Sequence, residues 1–381
     1  MKTRLQYWIP WVYFLGFCVL GIAGPYLTEE LKEKGVRNLG LVLVLPFVIR
    51  IIVTPIWGIL ADHLQRWDLV LRLATFLSAF GFLGLALWDP SLAFVAMLIH
   101  AVGRAPLPPI VDSLAIEAGN GNAKDFGRFR RWGSIGFLVS VFGISAAKQY
   151  YNVEALVVGS VLAFVLFAVS WGLPSPKQVE QPDLKRALRL LFSDKLLRYI
   201  LLCSALHFGA HSAGGVFLAV HVSSLGLPTI WTGIAVASGV ALEIFLMSNS
   251  RWLMERFTEV HLLLFATVLA FFRWMGTFMV SSGIGLTLCQ LTHGLTFGCF
   301  YLAVVSMVSS RSPKDAPVTG QALLASAMGG FGAGGGVFLA SQIEYYHSTR
   351  YIFAANMVLA LFASVIAYYL CLKLSPKTQI G

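Results

Sequence analysis

Charge is scarce in this chain. Of its 381 residues 12% are Asp, Glu, Lys or Arg, 57% are hydrophobic, and the mean hydropathy is +0.75. A soluble globular chain carries about 25% charged residues, so this one has too little polar surface to face water on all sides. The same shortage excludes disorder and coiled coils. Cysteine is sparse as well: Cys18, Cys203, Cys289, Cys299 and Cys371 show no paired spacing and lie in or beside apolar runs, which excludes a disulfide scaffold and reads as free thiols. No H-E-x-x-H, G-x-S-x-G or phosphate-cradling G-x-x-x-x-G-K-S/T pattern is present, and these absences point away from an enzyme or a nucleotide-driven pump. Nor does a small-residue cleavage pattern follow Lys2 and Arg4, so the first apolar run reads as a retained helix.

What the chain has in abundance is long apolar runs. A spanning helix needs about 20 such residues, and the runs fall at 6–28, 38–60, 69–88, 91–116, 131–150, 153–173, 196–222, 229–252, 260–280, 284–308, 317–342 and 350–372. This predicts an all-α membrane protein of twelve transmembrane helices with both termini on one side. Lys and Arg number 28 against 18 Asp and Glu, a formal charge of +10. With the termini cytoplasmic, the outer loops hold Lys32, Lys34, Arg37, Lys148 and Arg350, three arginines (Arg50, Arg104, Arg273) fall within helices, and all the rest lie inside. The basic excess is therefore a topology signal, and nucleic acid is not an expected partner; membrane lipid and a small solute are.

The longest polar stretch, from Pro174, separates six runs from six, and its Leu184–Leu191 segment reads as a basic amphipathic helix on the inner surface. The expected organisation is a six-helix bundle over 1–173, a cytoplasmic linker over 174–195 and a second bundle over 196–381. A weak repeat supports two related halves: Gly40 precedes Arg50 by ten residues in the second run, and Gly233 precedes Glu243 by ten in the eighth. After the second run, Gly58-Ile59-Leu60-Ala61-Asp62-His63-Leu64-Gln65-Arg66 has the form G-x-L-A-D-x-x-x-R. Asp62 at a helix end suits a neighbouring helix N-terminus or an arginine; the plainer alternative is a solvated turn.

Ionisable groups at membrane depth are costly, by about 2.5–3.5 kcal/mol each on insertion scales. Arg50, Arg104, Glu243 and Arg273 must therefore face a cavity or one another. Glu243 is the one acid deep in the second half and is the candidate proton carrier; a permanent ion pair with Arg273 or Arg50 is the structural alternative. Asp112 and Arg130 sit near the inner ends of the fourth and fifth runs and are candidates for pairing or for a ligand. Arginines outnumber acids among these deep groups, which favours an anionic ligand, with Trp8, Tyr13, Tyr26, Trp274 and Tyr301 available to pack its apolar part. His207 and His211 share a helix face; lining a cavity or core hydrogen bonding outweighs a metal pair. Pro106, Pro108 and Pro109 should break the fourth helix before Asp112, and the glycine run from Gly329 to Gly336 reads as close packing or a bend.

A resemblance now has residues behind it. The loop after the second run, the two halves and the Gly127-Arg128-Phe129-Arg130-Arg131-Trp132-Gly133 stretch resemble the major facilitator superfamily, and within it the lactose permease and phenylpropionate permease group of proton symporters. Asp112 precedes Arg130 by eighteen residues, as the group's acid precedes its arginine; the group's later charged positions fall at Glu243, Arg273 and His293. Arg50, Gly209-Ala210-His211, Gln290 to Phe297 and Gln321-Ala322 are most similar to the phenylpropionate branch. One departure is Thr296, where lactose permease has a further Glu; another is Phe137, where the sugar permease has a stacking tryptophan.

The resemblance implies a monomeric, proton-coupled uptake transporter of the bacterial inner membrane working by alternating access. Glu243 and His293 would handle the proton, which is the one coupling ion and takes the place of any cofactor. Arg50, Asp112, Arg130, Arg273 and His211 would shape the solute site, and Gly58, Asp62 and Arg66 the conformational switch. The expected solute is an aromatic carboxylate. A sugar or nucleoside symporter and a proton-coupled exporter remain as alternatives, although the fifth run lacks the Gly-Pro pair of exporters; a non-transporting sensor is the third class.

Overall fold

Long helices joined by short turns make up a computed structural model that describes residues 2–374 apart from 120, 152 and 175–182. The twelve long helices are α1 (Lys2–Glu33), α2 (Leu39–Leu64), α3 (Trp67–Leu87), α4 (Pro90–Ala118), α5 (Phe126–Tyr151), α6 (Ala155–Ser170), α7 (Lys195–Ser224), α8 (Ile230–Ser248), α9 (Glu259–Met279), α10 (Gly283–Arg311), α11 (Pro317–Tyr346) and α12 (Arg350–Leu374). Among the described residues, ten of these are long and apolar enough to cross a membrane. The other two explain themselves: α5 opens on Arg128, Arg130 and Arg131 and is diluted by glycine and serine, and α6 has 16 residues. No strand occurs among the described residues, so every spanning segment satisfies its backbone internally, as lipid demands.

The chain divides into two compact units, Met1–Arg189 with Ser312–Ser326, and Leu190–Arg311 with Ala327–Gly381. In the first, α1 packs on α5 and α6, and α3 on α4 and α6, around Ile22, Phe82, Met97, Ile144 and Leu156. In the second, α12 packs on α7 and α9, with Trp274, Phe353 and Ala360 at its centre. Apolar side chains also cover the outside: Leu361, Phe362, Val365 and Leu372 on α12 are exposed, an arrangement that lipid stabilises and water would not.

The expected linker lies partly at 175–182, outside the described residues; the remainder forms the helix Leu184–Ser193. Its Ala187 and Leu191 are buried while Arg186, Arg189 and Leu190 are exposed, which is the two-faced pattern read from the sequence. Connectivity alone does not reveal that Ser312–Ser326 clusters with the first unit. The reason is physical: the first turns of α11 pack on α2 and on the second part of α4.

Three helices depart from regularity where the sequence has breakers. In α4, regular helix stops at Arg104 and resumes at Leu107 after Pro106, and Pro108 and Pro109 then occupy the opening turn, where a missing N–H costs nothing. α10 is interrupted at Thr292, between Leu291 and His293. α11 widens into a π-helical turn over Ser326–Gly332, a feature that tends to mark functional segments. At its end and one turn further on, Gly332 and Gly336 lie against the Ala205 and Gly209 carbonyls of α7, leaving no room for a side chain.

Candidate functional site

The first unit holds two clusters of deep polar groups and a clamp. Asp112, 4% exposed, accepts a hydrogen bond of 2.6 Å from the Tyr13 hydroxyl of α1. Arg130 on α5, equally buried, donates to Ser134 at 3.2 Å and lies with its guanidinium 4.2 Å from the centre of the Phe17 ring. Tyr13 and Phe17 are one turn apart on α1, so that helix brings the acid and the arginine into a single cluster. The sequence named Asp112, Arg130 and Tyr13; Phe17 was missed, because a phenylalanine in an apolar helix carries no signal of its own.

Arg50 is half-buried on α2 and within electrostatic reach of Arg104 and His100 on α4. Arg104 donates to the Gly16 carbonyl at 3.0 Å, and His100 donates from Nδ1 to the Ser78 carbonyl at 2.9 Å. Two guanidiniums and an imidazole thus share one region of the unit. His100 was not singled out by the sequence.

The clamp joins α2 to the start of α11. Asp62, 1% exposed, accepts from the Thr319 amide and hydroxyl, each at 2.7 Å, and from the Val318 amide at 3.3 Å. The residue ahead of this helix is Ala316, which has no side-chain acceptor, so Asp62 supplies from another helix the cap that the local sequence lacks. Its negative charge also meets the positive end of the helix dipole. Gly58 permits the approach: a Cβ there would sit 2.5 Å from that of Ala322 and 3.2 Å from the Thr319 backbone. Arg66 stands apart from this clamp and pairs with the buried Asp68 at 3.1 Å, where Arg72 also reaches at 3.3 Å.

In the second unit, Glu243 on α8 is 4% exposed and lies 3.4 Å from the Nε2 of His293 on α10. The two helices cross closely because a side chain is missing from each: a Cβ at Gly239 would lie 2.5 Å from the Gln290 carbonyl, and one at Gly294 2.6 Å from the Glu243 amide nitrogen. His211 on α7 stacks on His293 with ring centres 4.9 Å apart. His293, Phe297 and Tyr301, spaced at i, i+4 and i+8 on α10, continue a column of near-parallel rings.

Arg273 on α9 is 6% exposed and is held by neutral groups. One nitrogen donates to the Thr296 hydroxyl at 3.2 Å and another to the Gln290 side-chain oxygen; the guanidinium also lies over Trp274 at 4.2 Å, while Nε has no partner. Thr296 is the departure noted in the sequence, and here its hydroxyl accepts from Arg273. Its carbonyl accepts from Nε2 of His207, which stacks on Phe300 at 4.2 Å. The His207 and His211 rings therefore go to different partners on α10, and no cluster of three metal-ligating side chains exists among the described residues.

Apart from Arg66, which pairs with Asp68, the sequence-predicted residues fall into four groups: Asp112 with Arg130, Gly58 with Asp62, Arg50 beside Arg104, and Glu243 with His293, His211 and Arg273. The groups missed, Phe17, His100 and Thr296 as an arginine ligand, share a cause. Neutral side chains become partners only through helix crossings that a linear reading does not supply.

Against known proteins, the model of the MFS_1 like family matches residues 7–355. The chain is similar to the maltose permease of Geobacillus stearothermophilus, 24% identical over 85% of this chain and 84% of that one. It is likewise similar to the probable 3-phenylpropionic acid transporter of Escherichia coli strain K12, 25% identical over 95% and 98%. The crystal structure of the human organic anion transporter MFSD10 superposes with a TM-score of 0.81 at 16% identity, covering 96% and 99% of the two chains.

Proposed function

The chain belongs to the MFS_1 like family of major facilitator transporters, and from that premise we infer that it carries a small organic anion together with a proton across a bacterial cytoplasmic membrane. The carrying observation is Arg273: a guanidinium 6% exposed, with neutral partners and a free Nε, in the same cluster as the Glu243 carboxylate and the His293 imidazole. A buried cation is expensive without a counter-ion, and arginine takes a carboxylate through two parallel hydrogen bonds. A carboxylated solute supplies that counter-ion, and the ring column of His293, Phe297 and Tyr301 offers its apolar part a stacking surface. The similarity to a probable 3-phenylpropionic acid transporter supports an aromatic acid.

Glu243 takes the proton. As a neutral acid it no longer needs a positive partner, and the cost of burying it falls. A carboxylate and a proton taken up together leave the net charge of the unit unchanged, so the loaded state can exchange one open side for the other without carrying extra charge through the membrane. Within the first unit, Arg130, clustered with Asp112, and Arg50, with Arg104 beside it, are the groups suited to an anionic solute.

Glu243→Gln tests the assignment. In right-side-out vesicles the variant should retain solute counterflow at rates within about threefold of the parent, while accumulation driven by a pH gradient disappears; accumulation that survives overturns it. The similarity to a maltose permease favours a second reading, a sugar symporter. Counterflow with aromatic acids, disaccharides and nucleosides as competing solutes separates the two.

A further inference from the structure

The second unit contains a cavity that the transport reading leaves unused. It has a volume of about 380 Å3 and is walled by His221 and Ser224 at the end of α7, Phe278 on α9, and Ser348, Arg350 and Tyr351 where α11 turns into α12. The charge asymmetry of the sequence puts these turns on the extracytoplasmic side.

Its chemistry is one-sided. Arg350 is half-buried; its Nη2 donates to the Ser281 hydroxyl at 2.8 Å, and its guanidinium lies 6.0 Å from the centre of the Phe278 ring. The outer connections of this half, residues 225–229, 280–282 and 347–349, contain no Asp or Glu, and among the described residues Arg350 forms no ion pair. His221, a wall of the cavity and 1% exposed, engages Thr349 through Nδ1 at 3.0 Å and leaves Nε2 without a partner. A guanidinium with no ion pair and an imidazole with an orphaned nitrogen thus belong to one set of wall residues, none of them acidic, and Phe278 and Tyr351 add apolar walls.

We propose that this cavity binds an oxyanion, a carboxylate or a phosphate, carried on a small apolar body. The guanidinium of Arg350 provides paired donors, the Ser348 hydroxyl adds another, and Phe278 and Tyr351 flank the apolar part. The volume lies within the range of about 300–1,000 Å3 typical of small-molecule pockets, which suits an aromatic acid or the phosphodiester end of an anionic lipid. The site is distinct from the Glu243–Arg273 cluster and does not depend on what that cluster transports.

The test uses the full chain carrying Arg273→Gln, so that the central cluster no longer contributes a guanidinium. Titration with carboxyl-labelled benzoate, followed by carbon NMR, should show saturable binding that weakens at least tenfold when Arg350→Gln is added and recovers in part with Arg350→Lys. In parallel, protein from phosphatidylglycerol nanodiscs is analysed by native mass spectrometry, and loss of a retained lipid on Arg350→Gln identifies the phosphodiester as an occupant. Sensitivity to Arg350 in either arm supports an oxyanion site, and the responding arm names its source. Benzoate binding and lipid retention both indifferent to Arg350→Gln, with thermal unfolding of the variant unchanged, overturn the proposal. Transport by the Arg273→Gln chain reports on the central cluster alone, so the two readings fail separately.

Discussion

Asp62 and Glu243 are both buried carboxylates on apolar helices, 1% and 4% exposed, yet their surroundings give them opposite duties. Asp62, in the first unit, is met by two backbone amides and a hydroxyl at the start of α11. Backbone amides are fixed in place and donate only to an anion or a lone pair, so this acid is held as a structural cap. Glu243, in the second unit, meets an imidazole at 3.4 Å, and an imidazole can itself gain or lose a proton near neutral pH. A carboxylate facing fixed donors fastens a helix; one facing a titratable partner can exchange protons. Burial alone does not distinguish the two.

The largest effect is expected at Arg273, the cation that the acid of the second unit leaves to neutral groups. Arg273→Gln should weaken solute binding about 100-fold, the loss of a buried charge-assisted pair of about 2–3 kcal/mol, measured by isothermal titration with the transported acid. Binding within threefold of the parent would transfer the anion role to the first unit. Next is the clamp. Asp62→Ala removes a cap and a favourable dipole contact and should cost about 1–2 kcal/mol, seen as a lower thermal unfolding midpoint with solute affinity unchanged. A loss of affinity instead would show that the two carboxylates are not separable.

The smallest effect is expected from a third acid, Asp194, which lies outside the spanning helices. It accepts from the Leu196 and Leu197 amides at 2.8 and 3.1 Å and pairs with Arg311 at 2.8 Å. Partial burial pushes its pKa up, but the hydrogen bond from Arg311 and the helix amides outweigh it and leave the carboxyl below its usual value. A lowered folded pKa means stability that is present above the unfolded value of about 3.9 and is lost as pH falls through the folded one. Asp194→Asn should therefore lower thermal stability at pH 7 by about 1 kcal/mol or less, and the gap to the parent should close as the pH is brought down toward 3. A gap that persists there would show that geometry, not charge, carries the cap.

The fold was largely legible before any coordinates. Twelve apolar runs and the distribution of basic residues are set by the energetics of lipid insertion, which acts on each segment separately and so can be read segment by segment. The break of α4 at Pro106 was legible for the same reason, since proline acts on its own backbone. The candidate site was legible in part. Glu243, Arg273, Asp112 and Arg130 stand out because a charge at membrane depth is conspicuous wherever it points. Phe17 beneath Arg130, Gln290 and Thr296 around Arg273, and Ser78 under His100 were silent, because neutral residues gain meaning only from the helix across from them.

The sequence by itself determined that this is a lipid-embedded helical protein in two halves, with a set of deep charges that need partners, because hydrophobicity and charge cost are local quantities. Only the tertiary structure decided which partner each charge received: an imidazole for Glu243, helix amides for Asp62, neutral oxygens for Arg273. Those choices depend on where helices cross, and the crossings depend on gaps at positions such as Gly58, Gly239 and Gly294, whose effect is felt on residues far away in the chain.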